Sequence, residues 1–132
     1  MMKKNSILLI GLLVALASTT QAQVWTQIGQ NINGEAAGNF LGTSTSISSN
    51  GSIVAIGAPA NSQNGFNAGH VRIYQNQGGA WTQLGQDIDG EAAYDEFGSA
   101  VSISSDGSIV AIGAFGNDGN GSYAGHVRVY EY

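Results

Sequence analysis

The stretch SISSDGSIVAIGA, residues 102–114, decides the fold, because two β-patterned segments flank the turn-forming pair Asp106-Gly107. Such a pair is the strongest short signal of a β-hairpin, since a type I′ turn needs positive φ at both central residues. We therefore predict strands at residues 101–104 and 108–114, joined by a tight hairpin.

The same stretch occurs 56 residues earlier as SISSNGSIVAIGA, residues 46–58, with Asn in place of Asp. Residues 24–76 align with residues 80–132 without a gap, and 32 of the 52 positions from 25 to 76 are identical. A fixed period of this kind indicates a repeat architecture. The predicted units are residues 23–79 and residues 80–132.

Two further strands are predicted in each repeat. A loop rich in Gly and Asn follows the hairpin and leads to a Val-, Ile- and Tyr-rich segment, residues 70–74 or 126–130. The Trp-Thr-Gln segment, residues 24–28 or 80–84, supplies the fourth strand. No window has the apolar spacing of an amphipathic helix. The predicted fold is all-β, with two four-stranded antiparallel blades.

The first 22 residues have the pattern of a secretory signal peptide. Lys3 and Lys4 precede an apolar run of eleven residues, 7–17, and small residues lead to a predicted cleavage site after Ala22. A membrane-spanning helix needs roughly 20 apolar residues, so an uncleaved anchor is the minor alternative. We predict a secreted or cell-surface protein without a membrane span after cleavage.

Charge and composition exclude several classes of partner and site. Without residues 1–22 the chain has Arg72 and Arg128 against nine Asp and Glu residues, a formal charge of −7. Two arginines do not form the cationic surface that binds nucleic acid. The chain has no cysteine, so disulfides and thiolate metal sites are excluded.

A family resemblance rests on three segments of the second repeat. These are 97–107, which begins Phe97-Gly98, then 110–114, which ends Gly113-Ala114, and 125–130. Together they resemble the FG-GAP repeat of integrin-α-type β-propellers, in the variant found in tandem in secreted bacterial surface proteins. The first repeat has Leu at position 41 where the second has Phe, and it keeps Pro59 after Gly-Ala.

The resemblance implies a β-propeller blade used for extracellular recognition, often with calcium in its loops. Closed propellers typically have four to eight blades, so two blades make an incomplete propeller. One possibility is head-to-tail self-association, in which the Trp strand of one chain completes a neighbour's blade and two to four chains form a ring. The other is that further blades lie in a longer tandem array.

A calcium site is predicted in the loop 116–121. Asp118 and Asn120 place oxygen-bearing side chains at alternate positions, and the neighbouring glycines allow backbone carbonyls to approach a hard cation. The first repeat has no carboxylate in this loop, and a plain Gly/Asn turn that needs positive φ is the favoured alternative.

An acidic group in the second repeat raises the alternative of a carbohydrate-active enzyme. Paired carboxylates serve as general acid and base in glycoside cleavage, whereas the first repeat keeps only Glu35, which favours a solvated loop. The acidic residues are Asp87, Asp89, Glu91, Asp95 and Glu96.

The repeated His and Trp residues are predicted to be structural. His70 and His126 lack the partners of a zinc or catalytic site and are expected to hydrogen-bond at the strand start. Trp25 and Trp81 are expected to pack in the core or between blades. The aromatic residues predicted to be available to a ligand are Phe66, Tyr94, Phe97 and Tyr123.

The leading functional hypothesis is a non-catalytic extracellular binding or adhesion module with a glycan or protein ligand. It is motivated by the tandem repeats, the export signal and the lack of a convergent catalytic set. The alternatives are the enzyme described above and a purely structural segment of a larger surface protein.

Overall fold

The computed structural model describes residues 22–132, and it is built from β-strands alone in that part of the chain. The all-β prediction is therefore confirmed. The predicted signal peptide, except for Ala22, lies outside the described residues. Within residues 22–132, no helix is long and apolar enough to cross a membrane.

The first sheet has five antiparallel strands. Its path runs through β1 (Ser44–Ile47), β2 (Ile53–Ala58), β3 (His70–Gln77) and β4 (Ala80–Gln83), and β5 (Ile88–Asp89) also pairs with β3. Both β4 and β5 lie along the edge of β3 that faces away from β2. This edge of β3 is thus covered at both of its ends.

The second sheet has three antiparallel strands: β6 (Ala100–Ile103), β7 (Ile109–Ala114) and β8 (His126–Glu131). Their register is that of β1, β2 and β3 shifted by 56 residues. The two sheets are partial propeller blades, and neither is a closed barrel.

Both predicted hairpins form, but their turns are not of type I′. In the second hairpin Gly107 has φ 81°, whereas Asp106 does not have positive φ. The Ser104 carbonyl accepts a hydrogen bond from the Gly107 N–H. The Asp106 carboxylate accepts hydrogen bonds from the Ser104 hydroxyl and from Ser108, and these lower its pKa to about 2. These side-chain contacts favour a wider turn.

The sheets do not follow the boundaries of the sequence repeats. β4 and β5 belong to the second repeat but complete the first sheet. The blades consequently have five and three strands instead of four each. The strand predicted at residues 24–28 is absent, because its counterpart β4 needs the third strand of the preceding repeat as a partner. No described strand precedes residue 24.

The hydrophobic core joins the two sheets around Phe97, which is completely buried. β1 and β2 contact β6 across the blade boundary. The Ser46 hydroxyl accepts a hydrogen bond from the Ile103 N–H at 3.0 Å. The other buried members of the core are Ala55, Val71, Val110, Ile112 and Ala114.

A close backbone approach fixes the spacing of the blades. A Cβ atom on Gly57 would lie 2.0 Å from the Gly98 carbonyl oxygen, so only glycine fits at this position. The Ser44 hydroxyl donates to that same oxygen at 2.7 Å. β1 and β2 of the first blade are therefore in direct contact with the segment that leads into β6 of the second blade.

Candidate functional site

The connections between strands gather at one end of both sheets, which we call the loop end. It comprises residues 34–43, 59–69, 90–99 and 115–125. The register places it there because β2 and β7 finish, and β1 and β6 begin, at this end. The segment 90–99 lies between its two neighbours: Tyr94 N–H donates to Phe66 O, and Gly116 N–H donates to Asp95 O.

The loop end carries a group of exposed aromatic side chains. Each is more than half exposed to solvent. Because contiguous exposed apolar patches mark interaction surfaces, these side chains are candidates for contact with a ligand. The five residues are Phe40, Phe66, Tyr94, Phe115 and Tyr123.

Three of these aromatic residues have a backbone conformation that costs free energy. Phe40, Tyr94 and Tyr123 have φ of 53°, 68° and 52°, in the left-handed region that bulky residues rarely adopt. Such strain costs of order 1 kcal/mol for each residue and clusters at functional sites. The surrounding hydrogen bonds hold the strained backbone in place; for example, the Asp118 carboxylate accepts from the Tyr123 N–H at 2.6 Å.

Phe66 and Tyr94 form a contact between the repeats. Their ring centroids are 5.4 Å apart, and the ring planes are inclined by 59°. The backbones on either side are also joined, since Glu96 N–H donates to Asn67 O at 3.0 Å. Both rings keep one exposed face in a fixed relative orientation.

The prediction that Phe97 is available to a ligand is wrong. Its side chain is fully buried, and the Arg128 guanidinium carbon lies 4.5 Å from its ring centroid. The Phe97 N–H donates to Ala68 O, so the residue anchors the second repeat on the first. Of the four aromatic residues predicted to be available, Phe66, Tyr94 and Tyr123 are exposed.

The acidic group of the second repeat is dispersed. Asp95 is only 2% exposed, and its carboxylate accepts hydrogen bonds from Ala92 N–H and Asn117 Nδ2. Asp87 bonds Arg72, and Glu91 lies 3.3 Å from Arg128. Each of these three carboxylates already has a polar partner within the fold.

His70, Arg72, Glu35 and Asp87 form a charged cluster at the edge of β3. Arg72 Nε donates to Asp87 Oδ1 and Arg72 Nη2 donates to Asp87 Oδ2, each at 2.9 Å, and Nη2 also contacts Glu35. The hydrogen bonds from Arg72 lower the pKa of Asp87, and burial lowers the pKa of His70.

The same cluster contains three potential metal ligands. One ligand atom from each of Glu35, His70 and Asp87 lies within 4.8 Å of the others. The Arg72 guanidinium, however, already supplies positive charge between the two carboxylates. The cluster is therefore an ion-pair network that joins the repeats.

The repeated histidines differ from the expectation in their bonding. His70 is buried at the start of β3, as a structural residue would be, but its Nδ1 makes no hydrogen bond and lies 3.5 Å from Asp87 Oδ2. His126 Nε2 is likewise without a hydrogen-bond partner.

The two tryptophans have different environments. Trp81 is half-buried in β4 and donates from Nε1 to the Ile28 carbonyl at 2.9 Å. Trp25 is 104% exposed, so the packing predicted for it is absent from this structure.

The loop with the predicted calcium ligands is a compact turn. Both Asp118 and Asn120 are exposed, and the Asp118 carbonyl accepts a hydrogen bond from the Gly121 N–H. Among residues 22–132, no group of three His, Asp or Glu ligand atoms comes together here. Calcium binding by Asp118 and Asn120 stays a prediction.

An apolar cleft between the sheets is the alternative site for a ligand. It lies at the end opposite the loop end and has a volume of about 220 Å³. Ligand pockets usually measure roughly 300 to 1,000 Å³, so this cleft is smaller than a typical ligand pocket. The apolar lining comes from Ile73, Leu84, Ile88, Val110, Tyr130 and Tyr132.

Comparison with known proteins assigns the second repeat. Residues 88–130 match the family model described as FG-GAP repeat. These residues of the second repeat are therefore similar to an FG-GAP repeat. No curated protein shows a significant match to the chain.

The two glycine motifs of the FG-GAP repeat meet in the structure. Gly98 N–H donates to the Gly113 carbonyl at 3.0 Å, which joins the Phe-Gly segment to the Gly-Ala segment. A Cβ on Gly98, whose φ is 88°, would lie 2.6 Å from the His70 carbonyl oxygen. The Phe97-Gly98 pair is thus where the second blade meets the first.

Sequence reasoning missed two aromatic residues of the loop end, Phe40 and Phe115. Glu96 and Pro59 stand at the equivalent positions of the other repeat, just as the predicted residues Phe66, Tyr94 and Tyr123 also lack an aromatic counterpart. The unmatched aromatic residues in Gly-rich connections were the available signal.

Proposed function

We propose that the protein is a non-catalytic extracellular binding module that holds a neutral glycan at the loop end. The observation that carries the proposal is the set of five exposed aromatic side chains at this end, three of them on strained backbone. A backbone held in a costly conformation pre-organises the rings and reduces the entropy lost on binding.

The chemistry of the loop end suits a sugar. An aromatic face packs against the apolar face of a pyranose ring, and nearby polar groups then fix its orientation. Asn120 provides an exposed side-chain amide at the loop end. The chain's negative charge disfavours an acidic glycan.

Asp87 and Asp95 already accept hydrogen bonds from groups within the fold, and this supports a non-catalytic role. Asp95 is buried and Asp87 is paired with Arg72, so neither carboxylate is free to exchange a proton with a bound sugar. The extracellular location rests on the signal-peptide pattern of residues 1–22.

Binding to a glycan array, followed by titration calorimetry with the best ligand, tests the proposal. Replacement of Tyr94 or Phe66 by alanine should weaken binding about threefold to tenfold, the value of one aromatic contact. Tyr132→Ala is the matched control, since Tyr132 is exposed but lies at the opposite end of the sheet. Absence of any glycan ligand, or an equal loss in the control, would contradict the proposal.

A further inference from the structure

The second sheet has an open edge where the first sheet has a covered one. On the first sheet, β3 pairs with β2 on one side and with β4 and β5 on the other. Its repeat counterpart β8 pairs, within the described residues, with β7 alone. An exposed strand edge of this kind readily adds another strand.

The side chains of β8 are also less buried than their counterparts on β3. Val71 on β3 is fully buried, whereas its counterpart Val127 on β8 is 65% exposed. Ile73 packs against the core, and its counterpart Val129 is also largely exposed. On the first blade, this face of the third strand is covered by the second blade. On the second blade, the equivalent face is exposed to solvent.

A buried polar atom on this edge is unsatisfied. Arg72 Nε donates to Asp87 Oδ1, but Arg128 Nε, at the equivalent position, is buried without a hydrogen-bond partner. An unpaired buried donor destabilises the folded chain. The missing acceptor is the equivalent of Asp87 on an added strand.

Residues 24–33 of this chain have the features of the missing strand. Val-Trp-Thr-Gln-Ile at 24–28 repeats the Ala-Trp-Thr-Gln-Leu of β4 and the residue that follows it. Gln27 Nε2 already donates to Asn31 Oδ1 at 2.9 Å, which reproduces the bond from Gln83 Nε2 to Asp87 Oδ1 at 2.7 Å. Asn31 is thus held as the acceptor equivalent to Asp87.

The first blade offers the complementary face. Ile103, on β6, packs against the core between the blades, whereas its counterpart Ile47 is 57% exposed on β1. A face matching the buried side of the second blade is therefore open on the first blade. The chain carries both halves of one interface on opposite sides.

We propose that a second copy of this chain docks head-to-tail on β8, with its residues 24–33 completing the second sheet. The register of β3 and β4 places Gln27 opposite Tyr130 and Thr26 opposite Glu131. Asn31 of the second copy accepts from Arg128 Nε. Ile47 of that copy packs on the face that contains Val127.

An interface between different surfaces of identical chains closes into a ring when the rotation allows. Propellers of four to eight blades then correspond to two to four copies. The inference does not depend on glycan binding, because none of its contacts involves the five aromatic residues of the loop end.

Light scattering on the purified chain after size exclusion provides the first test. The expected result is an assembly of two to four copies that dissociates on dilution. Val127→Asp should yield a monomer, because it places a charge on the docking face. Gln63→Asp is the matched control at an exposed position in a loop and should leave the assembly intact. A wild-type chain that stays monomeric at all concentrations overturns the proposal.

Mixing two variants distinguishes head-to-tail docking from a symmetric dimer. Val127→Asp and Ile47→Asp each damage one of the two docking surfaces. Each variant alone should be monomeric, and their mixture should form a one-to-one complex through the remaining pair of intact surfaces. Circular dichroism of each variant verifies folding. A folded pair that fails to form this complex, while the wild type assembles, overturns the head-to-tail geometry.

The acceptor residue gives a test in the opposite direction. Asn31→Asp restores the carboxylate present at position 87 and should lower the dissociation constant about fivefold, since charged hydrogen bonds are stronger. The gain should vanish when Arg128 is also replaced by Gln. An equal gain in the Arg128→Gln background would show that Asn31 does not meet Arg128, and would overturn the proposed register.

Discussion

Arg72 donates two hydrogen bonds of 2.9 Å to the Asp87 carboxylate, and this contact fastens the third strand of the first repeat to the beginning of the second. The Asp87 carboxylate also accepts from Gln83 at 2.7 Å. This two-pronged ionic contact therefore lies on the boundary between the repeats.

Replacing Asp87 by Asn should destabilise the chain by about 1 to 3 kcal/mol, because a largely buried Arg72 loses one of its two charged acceptors and keeps only Glu35. Urea unfolding measures the change. Glu91→Gln is the matched control: Glu91 is more exposed and makes one contact of 3.3 Å with Arg128. Its effect should stay below about 0.5 kcal/mol. Equal effects would show that the two ion pairs are equivalent.

Stability should fall as the pH decreases below about 6.5, the ordinary pKa of histidine. Burial lowers the pKa of His70, and this outweighs the opposite effects of Asp87, Glu35 and Asp89. The unfolded chain then binds the proton at a higher pH than the folded chain, so protonation favours unfolding. Urea unfolding from pH 7.5 to pH 5 measures the slope.

His70→Gln should reduce this slope, although the variant is also less stable at neutral pH. A second loss should begin below about pH 3.8, because the hydrogen bond from Arg72 lowers the pKa of Asp87 in the folded state. An unchanged slope between pH 7.5 and pH 5 in His70→Gln would assign the pH dependence to other groups.

Gly98→Ala should cost about 2 to 3 kcal/mol more than Gly42→Ala. Both glycines have positive φ, 88° and 95°, so both variants carry the same backbone strain. Only at Gly98 would the new Cβ meet backbone, at 2.6 Å from the His70 carbonyl, whereas nothing lies within 4 Å at Gly42. Thermal unfolding of the two variants measures the difference. Equal costs would mean that the blades can move apart without loss.

Calcium binding at Asp118 and Asn120 predicts a rise in melting temperature when calcium is added, since a ligand that binds the folded state stabilises it. Asp118→Ala should remove the rise, whereas Asp106→Ala, in the exposed turn of the second hairpin, should keep it. Magnesium serves as the control for ionic strength. A melting temperature that does not respond to calcium would exclude the site.

The strands were predictable where a strand pairs with its immediate neighbour along the chain. The hairpin around Asp106-Gly107 is local, and both of its strands formed in the expected register. The Trp segment forms a strand only when the third strand of a preceding repeat is available as its partner. Trp81 has this partner and lies in a strand, whereas Trp25 does not. The period alone did not reveal that the sheet extends across the repeat boundary.

The loop end was predictable only in part. Exposure of Phe66, Tyr94 and Tyr123 followed from their position in Gly-rich connections, but Phe97 became a core anchor because it precedes a glycine that packs on the first blade. The left-handed backbone of Tyr94 and Tyr123 depends on tertiary hydrogen bonds to Phe66 and Asp118. Bulky residues rarely adopt this conformation, so it could not be predicted from the residue types.

The displacement of β4 from its own repeat into the preceding sheet has a consequence for how such a chain can grow. Insertion of another 56-residue unit between residues 79 and 80 would give every internal sheet its closing strand and would leave one uncompleted sheet at the far end. Lengthening the array therefore moves the uncompleted edge but never removes it. Within this topology, the last sheet is completed only when a further Trp segment pairs with its third strand.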